Sequence, residues 1–286
     1  MDVLSDGHGL VESPRWHDSR LWFADWLAGE IIRIDDGNAE VVARHQSLPL
    51  CFDFLPDGTP LLVSGSEHAL LELHPDGSTT TYADLGHLSQ YGCNDIVIDG
   101  RGNAYVNCGN FDFATGPPPG ERAPGFVALV RPDGSATVVA DDLAFPNGMA
   151  VTPDNATLVV AESYRNRLTA FPINADGSLG ERRVWADLGD GVPDGICIDR
   201  DGAVWYADVP NQRCARVREG GEVLDTVQLD RGGFACMLGG EPAEPRLYIV
   251  AAHWPGVQGL TDPTHGWDGQ ALSIPAPASA AGWPGN

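Results

Sequence analysis

One type of segment recurs along the chain: a short apolar strand, a turn rich in Asp and Gly, and a second apolar strand. Four copies read ESPRWHDSRLWFADW, NDIVIDGRGNAYVN, NGMAVTPDNATLVVAE and DGICIDRDGAVWYADV, and two further copies begin near Leu50–Cys51 and Ala235–Cys236. The copies follow one another at intervals of about 40–50 residues, a period typical of repeat architectures. Such a period decides the fold, because each unit can bury its apolar faces only against its neighbours.

A second pair of strands follows in each unit, for example EIIRIDDG and then AEVVARH. Asp-Gly or Gly-Gly stands in the turns at 76–77, 133–134, 176–177 and 220–221, a direct hairpin signal. No apolar period of 3.6 residues is sustained, and Val, Ile, Trp and Tyr crowd the strand positions, so helical and leucine-rich repeats are disfavoured.

Six units of four strands predict an all-β protein, a six-bladed β-propeller with four-stranded antiparallel blades around a central channel that holds a metal. We expect one domain over residues 1–286, closed by pairing of the two chain ends. The strands of the sixth blade are predicted near Leu247–Ala252 and Ala271–Ile274, with the N-terminal segment beside them.

Composition excludes several classes of function. The formal net charge is −23, and all 17 basic residues are arginine. This charge argues against nucleic acid and anionic membranes as partners, and the lack of lysine removes Schiff-base chemistry. With no signal peptide and no run of 18 apolar residues in sight, a cytoplasmic protein is predicted. The six cysteines show no C-x-x-C pair, so a reduced, buried set is expected rather than disulfides.

Four oxygen-bearing side chains stand at equivalent places, at the start of the strand that opens a unit: Glu12, Asn94, Asn147 and Asp194. Equivalent positions of radial repeats converge on one axis, and four oxygen ligands there indicate a site for a hard cation. Capping of a turn is the alternative for any single Asn or Asp, since each follows a turn-like dipeptide. The common register of all four favours a shared site.

The other two axial positions offer no hard ligand, because Leu50–Cys51 and Ala235–Cys236 occupy them. Coordination open to water and substrate is the pattern of a catalytic ion rather than a structural one. Cys51 and Cys236 have no basic neighbour in sequence and are expected to be packing residues. No H-x-x-x-H or H-E-x-x-H spacing and no G-x-S-x-G occurs.

The loops that return to the ligand face are predicted to form the mouth of a pocket. The two longest are Asn110–Gly125 and His253–Gly266. They supply Phe111, Phe113 and Trp254, our candidates for an apolar wall that binds substrate. His253 is either a proton shuttle or an exposed loop histidine.

The motifs around Glu12, Asn94–Asp95, Asn147 and Asp194 together resemble the SMP-30/gluconolactonase/regucalcin-like family, from about Gly9 to about Ala252. The resemblance implies a six-bladed propeller with one divalent cation, usually Ca²⁺ and sometimes Zn²⁺, Mn²⁺ or Mg²⁺ in activity. It implies that Glu12, Asn147 and Asp194 are the core ligands and that Asn94 touches the metal or the substrate. Asp194 matches the residue proposed as general base.

The implied function is a metal-dependent lactonase or esterase-type hydrolase acting on a small-molecule lactone or related ester, as a monomer or homodimer. Water would attack the polarised carbonyl, with Asp194 taking its proton. A non-hydrolytic isomerase or cyclase, or a calcium-binding propeller without catalysis, remains an alternative. The family tends to carry an arginine where this chain has Gly92. Small aliphatic or aromatic lactones are therefore expected to be better substrates than gluconolactone.

Overall fold

The structure, a computed structural model, describes residues 1–35, 37–112, 115, 125–260 and 266–282. These residues form 24 β-strands and two short 3₁₀ helices, Ser163–Arg165 and Val257–Leu260. No helix in these ranges is long and apolar enough to cross a membrane. The first eight strands are β1 (Asp2–His8), β2 (Val11–His17), β3 (Arg20–Asp25), β4 (Glu30–Asp35), β5 (Asn38–Arg44), β6 (Leu50–Phe54), β7 (Pro60–Ser64) and β8 (Ala69–Leu73). The next eight are β9 (Thr79–Asp84), β10 (Ile96–Ile98), β11 (Ala104–Cys108), β12 (Gly125–Val130), β13 (Ala136–Leu143), β14 (Pro146–Val151), β15 (Thr157–Glu162) and β16 (Arg167–Pro172). The last eight are β17 (Arg183–Asp187), β18 (Pro193–Ile198), β19 (Val204–Asp208), β20 (Arg213–Val217), β21 (Val223–Gln228), β22 (Gly232–Glu241), β23 (Glu244–Ala252) and β24 (Gly269–Pro275).

The strands pair into six antiparallel sheets of four strands each, which are the blades of a propeller. Blades one to five are β2–β5, β6–β9, β10–β13, β14–β17 and β18–β21, and blade six has the order β1-β24-β23-β22. The first strands of neighbouring blades contact one another all the way round, from β2 to β22 and back to β2. The predicted six-bladed propeller is confirmed.

Blade six joins the two ends of the chain. Strand β1 pairs with β24, with Asp2 opposite Ser273 and His8 opposite Gly269. The strands predicted near 247–252 and 271–274 are β23 and β24, so this expectation is also confirmed. Closure leaves each blade packed between two others, which removes the exposed sheet faces that an open array would have.

The core consists of six apolar clusters, one at each junction between neighbouring blades of the described chain. At the junction of blades one and two, for example, Ile31 packs with Phe52 and Leu62. The middle strands are buried on both faces, so they are continuous apolar runs such as VWYA in β19. Each fully buried large side chain stabilises the fold by about 1.5–3 kcal/mol, which makes the propeller a rigid support for its loops.

The prediction of reduced cysteines is wrong for one pair. Cys93 and Cys108 form a disulfide, with a Cα–Cα distance of 4.2 Å. The backbone N–H of Asn94 donates to the carbonyl of Asn107, which places the two cysteines side by side. A separation of 15 residues gives no hint of this contact in the sequence. The other four, Cys51, Cys197, Cys214 and Cys236, are free and buried as expected.

Candidate active site

Four polar side chains from four blades meet at one end of the central channel. Glu12 is the second residue of β2, Asn147 of β14 and Asp194 of β18, while Asn94 lies two residues before β10. All four line a single cavity of about 640 Å³. The structure thus brings the four predicted residues together, and their role as ligands stays a prediction.

An irregularity in strand pairing accompanies three of these residues. In β2 the register shifts between Glu12 and Arg15, and β14 and β18 show the same kind of shift beside Asn147 and Asp194. Ser13, inside the first shift, has a positive φ of 50°. Bulges bend a strand and re-aim its side chains, and they are frequent next to active sites. Local backbone geometry therefore turns these side chains toward the cavity instead of into the regular pleat.

Hydrogen bonds fix the two amides. The Nδ2 of Asn94 donates to the Oδ1 of Asn147 at 3.1 Å. The Nδ2 of Asn147 in turn donates to the Oγ of Ser163 at 3.4 Å, and Ser163 donates to the carbonyl of Pro193 at 2.7 Å. With its nitrogen held on the Ser163 side, Asn147 presents its oxygen to Asn94 and the cavity. An amide oxygen held in this way suits a hard cation.

Glu12 is buried and Asp194 is partly buried, and their carboxylates have few hydrogen-bond donors. Burial raises the pKa of Glu12 to about 8, against the effect of the Ser13 N–H that donates to its Oε2 at 2.9 Å. Burial, followed by the charge of Glu12, raises the pKa of Asp194 well above its usual range. The Oδ1 of Asp194 is buried and has no hydrogen-bond partner among the described residues. Two such carboxylates need a proton or a cation between them.

An arginine whose side chain is only 13% exposed lies beside the site and pairs with other carboxylates. The Nε of Arg15 is 3.3 Å from Asp53, and its Nη2 is 3.5 Å from Asp95. The same Nη2 donates to the carbonyl of Ile96 at 2.7 Å. This cluster connects blades one, two and three. Because Arg15 is shared by two other carboxylates, its charge lowers the pKa of Glu12 by less than burial raises it. Sequence reasoning missed the cluster, although Arg15 and Asp95 stand inside two of the recurring motifs.

The residues present fit a hard divalent cation. Two carboxylates and two amides supply only oxygen donors. Oxygen ligands suit Ca²⁺, Mg²⁺ or Mn²⁺, whereas zinc sites are usually built from nitrogen and sulfur ligands. Within the described ranges, no three side chains drawn from His, Cys, Asp and Glu come together to hold a metal. Besides Asp194 Oδ1, the buried Ser13 Oγ and Trp26 Nε1 lack hydrogen-bond partners in the described part of the chain. Both residues line a narrow pocket next to Glu12, Asn94 and Asn147, which we call the narrow axial end of the channel.

Two of the three residues predicted to form the substrate wall line the cavity. Phe111 and Trp254 do so, whereas Phe113 lies outside the described residues. Phe145 and Tyr164 line it as well. Tyr164 lies in the connection between β15 and β16, which returns to the face of the propeller that holds the four polar residues. Phe145 was missed, since the FP dipeptide before Asn147 was interpreted only as a turn.

Three further residues that the sequence analysis considered, His253, Cys51 and Cys236, are placed by the structure. The side chain of His253 is 57% exposed, and its Nδ1 lies 2.5 Å from Asp268, so it is an exposed loop histidine outside the cavity lining. Cys51 and Cys236 line the narrow axial end of the channel and are buried. Burial raises the pKa of both thiols well above the usual range, which disfavours the thiolate and agrees with the expected packing role.

Gly92 lines the cavity where a side chain has no room. A Cβ built at this position would lie 2.7 Å from the carbonyl oxygen of Gly65 and 2.8 Å from its Cα. Backbone atoms cannot move aside as a flexible side chain can. An arginine at position 92 would therefore require a shift of one of the two segments, which explains why this blade carries glycine here.

The fold and the site define a closed six-bladed β-propeller with an oxygen-lined cavity at one mouth of its channel. The chain is a member of the SMP-30/gluconolactonase/LRE-like family, which residues 10–253 match. The 6-deoxy-6-sulfogluconolactonase of Pseudomonas putida is 29% identical over 251 residues, 85% of this chain and 83% of the relative. The L-arabinolactonase of Azospirillum brasilense is 29% identical over 254 residues, 85% of this chain and 81% of the relative.

A crystal structure from Agrobacterium tumefaciens, described as the calcium-binding protein regucalcin, has the same fold. It superimposes with a TM-score of 0.75 at 22% identity, covering 98% of this chain and 94% of that one.

Proposed function

We propose that the protein is a divalent-metal-dependent lactonase. Glu12, Asn147 and Asp194 hold the cation, and Asn94 is either a fourth ligand or a contact to the substrate. The observation that carries this proposal is the unpartnered, buried Oδ1 of Asp194 at the base of an open cavity, beside a second buried carboxylate. Two relatives of similar length whose names are those of lactonases support it.

Calcium is the cation we favour. Glu12 and Asp194 contribute two negative charges, which balance a divalent ion, and the two asparagines add neutral oxygens. Ca²⁺ accepts an irregular set of oxygen ligands, whereas Mg²⁺ demands a near-ideal octahedron. A family-fold structure is itself described as that of a calcium-binding protein. Zn²⁺ and Mn²⁺ are the ions to compare with it.

The chemistry follows from the positions of the chain's own groups. When bound, the cation supplies a Lewis acid that polarises the lactone carbonyl. Asp194 would accept a proton from the attacking water at the carboxylate oxygen that does not hold the cation, as a general base. Water adds to the carbonyl carbon, the ring C–O bond breaks, and the proton returns to the departing ring oxygen, so that a hydroxy acid is the product. The Asn94 amide, fixed by Asn147, orients the bound ester.

A lactone panel in a pH-indicator assay tests the proposal. The protein is first stripped with a chelator and then assayed with Ca²⁺, Mg²⁺, Mn²⁺ or Zn²⁺ added back. Acid release from at least one lactone, dependent on the added ion, is expected, with the ring-opened acid confirmed by mass. If Ca²⁺ binds tightly and no lactone or ester is opened, the lactonase proposal is wrong and a binding propeller is favoured. A product of unchanged mass would instead indicate an isomerase or cyclase.

A further inference from the structure

Above the polar base, the walls of the cavity are apolar. With a volume of about 640 Å³ it falls within the range of roughly 300–1,000 Å³ typical of pockets for drug-sized ligands. Besides the four polar residues, most of the described residues that line it are aliphatic or aromatic, among them Leu10, Val192, Val209, Phe234, Trp254 and Leu260. The volume exceeds what a small ring ester at the four polar residues would need, so the remaining space is available to a substituent.

One wall is an aromatic surface built from two blades. The ring of Phe145 lies 4.8 Å from that of Tyr164 and 5.5 Å from that of Phe111, measured between centroids. Phe111 and Tyr164 are also stacked, at 6.3 Å. We call Phe111, Phe145 and Tyr164 the aromatic wall. Such offset and tilted arrangements present ring faces and edges on which another apolar or aromatic group packs well.

The backbone at the centre of this wall is held in an uncommon conformation. Phe145 has a φ of 54°, in the left-handed region that bulky side chains rarely adopt. A residue of this kind is retained only where the surrounding structure imposes it, and such residues cluster at binding sites. Phe145 is also two residues before Asn147, so the conformation that sets its ring leads directly into the polar base.

The charges of the cavity are of one sign. The charged side chains among its described lining residues are Glu12, Asp112 and Asp194, and none of those residues is arginine or histidine. The chain contains no lysine at all. Because the proposed cation would balance only Glu12 and Asp194, a carboxylate or sulfonate on the substrate would find no arginine or histidine to pair with among the described lining residues. Many hydroxyl groups would lose water to apolar walls without regaining hydrogen bonds.

We infer that the substrate is an uncharged lactone that carries a bulky alkyl or aryl group, with its ring ester at the polar base and that group against the aromatic wall. This inference rests on the proposed lactonase function and adds the substrate class. The sulfonated sugar lactone in the name of the Pseudomonas putida relative is the opposite type of ligand.

Four lactones separate the possibilities: γ-phenyl-γ-butyrolactone, unsubstituted γ-butyrolactone, glucono-δ-lactone and a lactone bearing a sulfonate. The expected order of kcat/KM places the phenyl compound first, at least about 10-fold above the sugar lactone, with the sulfonated compound last. If lactones are opened but the sugar or sulfonated compound is preferred, the substrate class is wrong and the lactonase function stands. If none is opened with Ca²⁺ present, both are wrong.

Variants of Tyr164 test the wall directly, because this residue is 50% exposed and its removal should leave the fold intact. Tyr164→Ala is expected to raise KM for the phenyl compound about 10-fold, and to raise KM for γ-butyrolactone, which has no group to place on the wall, by a clearly smaller factor. Tyr164→Phe, which keeps the ring, should behave as the wild type. Binding of γ-phenyl-γ-butyrolactam, measured by calorimetry, should weaken in parallel in the Ala variant only. Equal loss with both lactones, or no change in lactam binding, would contradict the assignment.

Discussion

The Nδ2 of Asn147 donates to the Oγ of Ser163 at 3.4 Å, and Ser163 donates in turn to the carbonyl of Pro193. Ser163 thereby joins blade four to the residue that precedes Asp194 in blade five. It accepts from the amide nitrogen of Asn147 and so decides which atom of Asn147 faces the cavity.

Ser163→Ala should weaken Ca²⁺ binding about 10-fold, because groups that orient metal ligands typically contribute that much. The Asn147 amide would then be free to rotate its nitrogen toward the site. Calorimetric titration of the chelator-treated protein measures the affinity. Ser178→Ala, in an exposed hairpin turn, is the matched control and should leave affinity unchanged. Equal Ca²⁺ affinity in wild type and Ser163→Ala would remove the orienting role.

The buried Arg15 cluster should matter for stability more than any surface ion pair. Arg15→Gln leaves Asp53 and Asp95 buried without their cation, which typically costs about 3–5 kcal/mol. Denaturant unfolding in the presence of a chelator gives the comparison without a contribution from bound ion. Arg218→Gln breaks an exposed pair with Glu222 and should cost no more than about 1 kcal/mol. Similar losses in the two variants would show that the cluster has no special role.

Glu162 should contribute a pH-dependent part of the stability. Burial alone would raise the pKa of this carboxyl, but hydrogen bonds from the Ala144 N–H, Thr169 and Arg167 outweigh it and hold the pKa below the usual 4.5. The folded-state pKa lies below that of the unfolded chain. The stabilisation is therefore fully present at a pH above the unfolded-state pKa, and it is lost as the pH falls through the folded-state pKa.

Glu162→Gln should therefore destabilise the protein at neutral pH, and its unfolding midpoint should approach that of the wild type as the medium is acidified below a pH of about 4. Thermal unfolding across this range measures both. Glu222→Gln, on the exposed pair, serves as the control. A gap between Glu162→Gln and wild type that stays constant with pH would contradict the prediction.

The disulfide should stabilise the segment that leads into the site. It closes a loop of 15 residues, for which chain entropy gives about 3 kcal/mol. A reductant should therefore lower the unfolding free energy of the wild type by about that amount. The variant with both Cys93→Ser and Cys108→Ser should already be less stable and should not respond to reductant. If the wild type is equally stable with and without reductant, the bond contributes nothing.

Much of the architecture was predictable because a propeller repeats its signals. The six recurring segments fixed the number of blades, and the register of Glu12, Asn94, Asn147 and Asp194 within them placed these residues in one cavity. A short apolar segment alone does not show whether it forms a strand or a helix. Because the same pattern recurs six times, these segments could still be assigned as strands.

Features that occur once in the ring were not predictable. The Cys93–Cys108 bond depends on a single backbone contact, and the Arg15 cluster depends on which blades become neighbours across the channel. The ring of Phe145 reaches the cavity through a positive φ that no sequence pattern demands of phenylalanine. In each case the contact is tertiary and specific to one place.

The most direct test of the proposed metal-dependent lactonase crosses one substitution with one ion. Lactone hydrolysis is measured for wild type, Asp194→Asn and Asp176→Asn, each after chelation and again with saturating Ca²⁺; Asp176 is an exposed turn residue and serves as the control. Wild type and Asp176→Asn should lose activity on chelation and regain it with Ca²⁺, whereas Asp194→Asn should stay inactive in both conditions. Hydrolysis that survives chelation, or that persists in Asp194→Asn, would contradict the account.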